Sequence, residues 1–144
     1  MMRKITALGL VAGMLTLPAL AQKKIEYKEF DLDNGLHVIM HQDNTTPIVI
    51  TSVLYHVGSK NEQPDRTGFA HFFEHLMFEG SPNIERGQYM NIIQARGGTL
   101  NAFTSNDITY YYELLPSNEL ELALYMESER MLQSKVDQTG VDTQ

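Results

Sequence analysis

The stretch that most constrains this chain is His71-Phe72-Phe73-Glu74-His75, an HxxEH pattern inside an apolar run from Phe69 to Phe78 that contains no helix breaker. In an α-helix, residues four apart are separated by about 400° of rotation, so His71 and His75 leave one face about one turn apart. Two imidazole nitrogens placed in this way can reach one tetrahedral zinc at roughly 2 Å. Glu74, three residues after His71, stays near that face and suits a general base that holds a water without binding the metal. The competing reading is a surface helix whose two histidines are satisfied polar neighbours. Phe72, Phe73, Leu76, Met77 and Phe78 make the surroundings a largely apolar wall, where uncompensated ionisable groups cost several kcal/mol. That favours a metal site. Glu79, four residues beyond His75, is a weaker ligand candidate, because sharing the face of both histidines would strain the helix.

Composition bounds the rest. The 144 residues allow one domain or part of a larger one, and 42% hydrophobic with 20% charged residues is ordinary globular content. Lys and Arg number 11 against 18 Asp and Glu, a net charge of −7. No basic run follows Lys24, so no nucleic acid partner is expected.

Residues 1–21 differ in character from the rest of the chain. Arg3 and Lys4 precede an uncharged, mainly apolar run from Ile5 to Leu17, and Ala19-Leu20-Ala21 places small residues where a signal peptidase reads. This predicts a secretory signal peptide cleaved after Ala21. A membrane anchor is the alternative, but Gly9, Gly13 and Pro18 interrupt a segment short for a span, and no stable membrane insertion is expected after cleavage. With no cysteine, there is neither a disulfide framework nor a lipid-modified cysteine. The expected destination is the periplasm of a Gram-negative cell.

Alternation from Ile25 to Leu32, the Asn34-Gly35 turn signal and a second alternating run from Leu36 to Met40 predict a β-hairpin. His37 and His41 share a strand face there and read as solvent-facing. Ile48 to Val57, rich in β-branched residues, predicts a more central strand; His56 at its end reads as structural or solvated. A polar loop, residues 58–67, leads to the HxxEH helix. Beyond it come a helix over Gln88 to Arg96 stopped by Gly97-Gly98, a strand over Thr99 to Thr104, a turn, and a strand over Ile108 to Leu115 whose three tyrosines are expected to pack, at least one in the core. Asn118 with Glu121 resembles a capping box opening a helix to about Gln133. Its expected apolar stripe is Leu120, Ala123, Leu124 and Met131, and its expected solvated face Glu119, Glu121, Glu127 and Glu129. Residues 137–144 are expected to close no element, as if the chain stops in mid-domain.

Four motifs in order, Gly58-Ser59-Lys60-Asn61-Glu62, HxxEH, Gly97-Gly98-Thr99-Leu100-Asn101-Ala102 and Glu127-Ser128-Glu129-Arg130-Met131, resemble the insulinase (pitrilysin) family of zinc peptidases, its bacterial processing-peptidase-like members most. The resemblance runs from about Lys24 to Gln144. It implies an α+β fold, an antiparallel sheet with helices packed on one face, of which residues 22–144 would be the N-terminal part of the first peptidase domain. It implies His71 and His75 as zinc ligands in the inverzincin order and Glu74 as general base. A third ligand, a Glu, is expected beyond Gln144, so the chain by itself is expected to be inactive. Asn101 and Ala102 match the edge strand on which relatives lay an extended peptide or unfolded polypeptide substrate. A second homologous domain or a partner subunit is also implied. The implied activity is zinc-dependent endopeptidase. The alternatives are a non-catalytic peptide-binding subunit of the same family, and a complete small exported binding domain with an accidental HxxEH.

Overall fold

The computed structural model describes residues 24–144; the expected signal peptide lies outside them. Among the described residues no helix is long and apolar enough to cross a membrane. The described residues form two compact units, one ending at Asp43 and the other Asn44–Gln144.

In the first unit, β1 (Lys28–Asp31) and β2 (His37–Met40) pair antiparallel, from Lys28 opposite Met40 to Asp31 opposite His37. The expected turn forms. Gly35 adopts φ +86, its N–H donates to the Leu32 carbonyl at 2.8 Å, and Asn34 Oδ1 accepts from the Leu36 N–H at 3.1 Å. Pairing begins at Lys28 rather than Ile25. His37 Nδ1 lies 2.8 Å from Asp31 Oδ1 and His41 Nδ1 lies 2.5 Å from the Glu26 carbonyl oxygen, so each is engaged separately.

The second unit is built on a three-stranded antiparallel sheet of β3 (Ile48–Tyr55), β4 (Thr99–Thr104) and β5 (Thr109–Pro116), in the order β3-β5-β4. The central strand is therefore β5, and β3, expected to be the more central one, flanks it. The reason is visible in the side chains. Along β5, Thr109, Tyr111, Glu113 and Leu115 are all buried, whereas Ile48, Ile50 and Leu54 of β3 stay exposed. β-branched content reports fitness for a pleated strand, not its place in the sheet.

Helices α1 (Phe69–Leu76), α2 (Gln88–Ala95) and α3 (Leu120–Gln133) contact this sheet. Ile84, Tyr89, Ile93, Leu100, Leu115, Ala123 and Met126 form one buried cluster between the inward side chains of β4 and β5 and the helices, and each large member stabilises the fold by roughly 1.5–3 kcal/mol. The α+β architecture, antiparallel sheet with helices on one face, is as expected. A short helix, α4 (Gln138–Thr143), ends the described chain; Asp137 caps it by accepting from the Gly140 N–H at 2.8 Å. This corrects the expectation of no closing element.

The α3 expectations also change. The capping box does not form: a 3-10 turn, Ser117–Glu119, precedes the helix and no side chain caps it. Its buried face is Ala123, Met126, Glu127 and Arg130, spaced i, i+3, i+4, i+7, and Glu129 is buried beside it. Leu120, Leu124 and Met131 are exposed instead. The charges are buried because they have partners. Glu129 accepts hydrogen bonds from Ser81 Oγ at 2.5 Å, Asn83 Nδ2 at 3.1 Å and Gln133 Nε2 at 3.0 Å. The Arg130 guanidinium lies over the rings of Phe78, Tyr89 and Tyr111 at 4.6, 5.0 and 4.6 Å. It pairs with Glu113 at 3.3 Å and Glu127 at 3.2 Å. One cation cannot neutralise two carboxylates; burial first, and the charge of Glu127 second, push the Glu113 carboxyl up to about 8.

Candidate active site

The segment before α1 is fastened at both ends. Gly58 sits against the turn joining β4 to β5, where a Cβ would stand 2.3 Å from the Ser105 carbonyl oxygen. The following amides donate across this contact, Ser59 N–H to Ser105 O and Lys60 N–H to Asn106 O, both at 3.0 Å. Lys60 also forms an ion pair with Asp107. At the other end, the Glu62 carboxylate accepts from the N–H groups of Gly68 and Ala70, both at 2.8 Å. No acidic residue lies in the first turn of α1 and its N-cap, Gly68, has no side chain, so Glu62 supplies the negative charge that the exposed amides favour. Those two amides, Ala70 foremost, hold the Glu62 carboxyl below the usual carboxylate range.

On α1 the two histidines stand as the helical spacing requires. Their rings are 4.8 Å apart between centroids, both residues are exposed, and His71 Nε2 lies 3.1 Å from His75 Nε2. Either one ring donates to the other, or both lone pairs turn towards a shared cation. Two nitrogens each 2.0–2.1 Å from a tetrahedral zinc are about 3.3 Å apart, so the pair fits such an ion with little adjustment. Among the described residues no third His, Cys, Asp or Glu gathers with them. Glu79 does not: it is buried, paired with Arg86 and hydrogen-bonded by the Gln144 amide. His56 is exposed at the end of β3.

Glu74 differs from its histidine neighbours in being buried, 8% exposed, with its Oε2 accepting a hydrogen bond from Thr104 Oγ1 at 2.5 Å. Thr104 belongs to β4, and so do Asn101 and Ala102. The N–H of Ser105 donates to the Ile108 carbonyl at 2.8 Å, which fixes the alternation of the ladder. Phe103 opposite Tyr110 and Asn101 opposite Tyr112 are hydrogen-bonded pairs; Thr104 opposite Thr109 and Ala102 opposite Tyr111 are not. The N–H and C=O of Leu100, Ala102 and Thr104 therefore point away from β5. Among the described residues of this sheet no strand pairs on that side. The Ala102 N–H is met there by the Oδ1 of Asn101, at 2.9 Å. A groove of about 590 Å³ brings His71 and Glu74 together with Ala102 and Thr104. A second, more apolar cavity of about 520 Å³ between Phe69, Phe73, Met77, Tyr55 and Tyr111 touches neither histidine.

Two residues of the site had no role assigned from the sequence. Glu62 closes the Gly58–Glu62 motif, but its capping partners, the Gly68 and Ala70 amides, are reached only because the loop folds back. Thr104 is the same-face neighbour of Ala102 on a strand, a period-two signal that carries no hint of Glu74.

The family model described as Insulinase (Peptidase family M16) matches residues 37–144, and the chain belongs to that family. It is 36% identical over 107 residues to the zinc protease PqqE of Helicobacter pylori, covering 74% of this chain and 24% of that protein. It is 34% identical over 104 residues to the insulin-degrading enzyme of Homo sapiens, covering 72% of this chain and 10% of that enzyme. Among solved structures, a protease from Helicobacter pylori superposes with a TM-score of 0.77 at 34% identity, covering 80% of this chain and 28% of that one. Pitrilysin superposes equally well, TM-score 0.77, at 22% identity, which speaks for the fold alone, over 85% of this chain and 13% of that one. The chain thus spans between 10% and 28% of the length of these relatives.

Proposed function

We propose that the protein is a zinc-dependent endopeptidase whose site is built on α1, with His71 and His75 as ligands and Glu74 as general base. The observation that carries the reading is the 3.1 Å approach of the two Nε2 atoms on the helix that also carries a buried carboxylate, held by Thr104 and lining a groove. Zinc, when bound, would polarise the scissile carbonyl and make a water acidic near neutrality. Glu74 takes the proton of the attacking water and returns it to the leaving amine, a shuttle worth about 10²- to 10⁴-fold. The open edge of β4 receives an extended peptide or unfolded polypeptide, main chain to main chain at Ala102, with Asn101 contributing its side chain, whose Oδ1 already meets the Ala102 N–H. In this reading residues 22–144 are the N-terminal part of the first peptidase domain, a Glu from a segment following Gln144 is the third ligand, and a second homologous domain or partner subunit completes the cleft. Residues 1–21 serve as the export signal, directing the protein to the periplasm.

The test is made on the full-length protein. Glu74→Gln should keep near-stoichiometric zinc while peptide hydrolysis falls at least about 100-fold; His71→Ala and His75→Ala should lose both. Substantial hydrolysis by Glu74→Gln would remove the general base. A wild-type protein that binds peptide and zinc without cleaving would be the non-catalytic subunit of the same family.

A further inference from the structure

We infer that Thr104 is a positioning residue for the reaction: its hydroxyl holds the Glu74 carboxylate in the orientation from which it takes a proton. The inference rests on the proposed role of Glu74 and deepens it. Thr104 Oγ1 lies 2.5 Å from Glu74 Oε2, and the direction of that bond is fixed by what surrounds it. A hydroxyl has one proton. The neighbouring Thr109 Oγ1, 3.4 Å from Thr104 Oγ1, lies 3.0 Å from the Val57 carbonyl oxygen, which can only accept. Thr109's proton is thereby committed to Val57, and Thr104's proton is left for the carboxylate, which accepts when ionised.

Geometry supports a positioning role over simple packing. Glu74 is reached from a different element, β4, across thirty residues of sequence, so the contact fixes α1 against the sheet at the reacting group. A glutamate has three rotatable bonds before its carboxyl, and a buried one left unheld can drift by an ångström, enough to cost about 100-fold in rate. Only Oε2 is held by Thr104. Thr104 is also two residues from Ala102 with its side chain on the same face. The strand that would align the substrate therefore also aligns the base.

The experiment compares Thr104→Val, which keeps the shape and removes the hydroxyl, with Thr104→Ser, which keeps the hydroxyl. Both are made in the full-length protein beside Glu74→Gln and the double variant Glu74→Gln/Thr104→Val. Thr104→Val should lower kcat about 10- to 100-fold with KM within about threefold and zinc content and melting temperature near wild type. Thr104→Ser should recover kcat to within about threefold, and the double variant should be no slower than Glu74→Gln alone, because one residue acts through the other. Wild-type kcat in Thr104→Val with a dead Glu74→Gln would overturn the inference and leave the general base standing. Equal impairment of Val and Ser, or a loss that follows zinc or melting temperature, would make Thr104 a packing residue. Full turnover by Glu74→Gln would remove both readings.

Discussion

Gly58 offers a test of how the site is held in place. Its φ of −163° and ψ of −167° suit any residue, so nothing in its own backbone demands glycine. The demand comes from proximity: an added Cβ would lie 2.3 Å from Ser105 O, 2.6 Å from Asn106 O and 2.7 Å from Asn106 C. All three are main-chain atoms, and no rotamer change relieves the contact. Gly58→Ala should push the loop off the hairpin turn by about 1 Å, which breaks the hydrogen bonds that the Ser59 and Lys60 N–H groups donate to Ser105 and Asn106, at about 1 kcal/mol each, and adds an overpacking cost of about 1–3 kcal/mol. About 3 kcal/mol corresponds to roughly 150-fold in the local opening equilibrium. Hydrogen exchange on the full-length protein reads this directly: the Ser59 and Lys60 amides and the α1 amides should lose about two orders of magnitude of protection, and zinc retention should weaken with them. Gly68→Ala is the control. Gly68 has φ +94° and open space around it, so its cost of about 1 kcal/mol is purely conformational and should stay at the start of α1. Protection in Gly58→Ala within threefold of wild type would refute the interlock.

Ala102→Pro deletes an N–H that faces away from β5, so it should spare the sheet while raising KM about tenfold or stopping turnover, with zinc content near wild type; equal loss of fold, zinc and activity would assign the strand to packing alone. Glu113, pushed up to about 8 by burial first and by Glu127 second, is favoured by the fold in its protonated form. Its contribution is present below the ordinary carboxylate range and lost as pH rises through about 8, so melting temperature should fall between pH 5.5 and 8.5, and Glu113→Gln should flatten that slope. An unchanged slope in the variant would place the titration elsewhere.

The elements most legible in the sequence are those specified locally. The Asn34-Gly35 turn, the bounds of β4 and the facing of His71 and His75 follow from chain stereochemistry over a few residues. The features that sequence patterning misplaces depend on partners far along the chain. Glu127 and Glu129 look solvated on α3 because their compensation comes from Arg130 held by three rings and Glu113, and from Ser81 and Asn83. With those charges buried, the helix turns Leu120, Leu124 and Met131 outwards, which no hydrophobic count along α3 alone could anticipate. The site divides in the same way. HxxEH is written in one turn of helix, whereas the hold of Thr104 on Glu74 exists only once β4 and α1 are packed.

The unpaired margin of β4 has a consequence for selectivity. Its N–H and C=O groups are offered at alternate residues, and every amino acid except proline presents the same complement to them. Under the proposed function, what is chosen there is a conformational state of the client before any side chain is inspected. A native globule is refused because its own strands already satisfy one another. The same globule, once unravelled, becomes acceptable with no change in its residues, so stability of the client acts as the first filter.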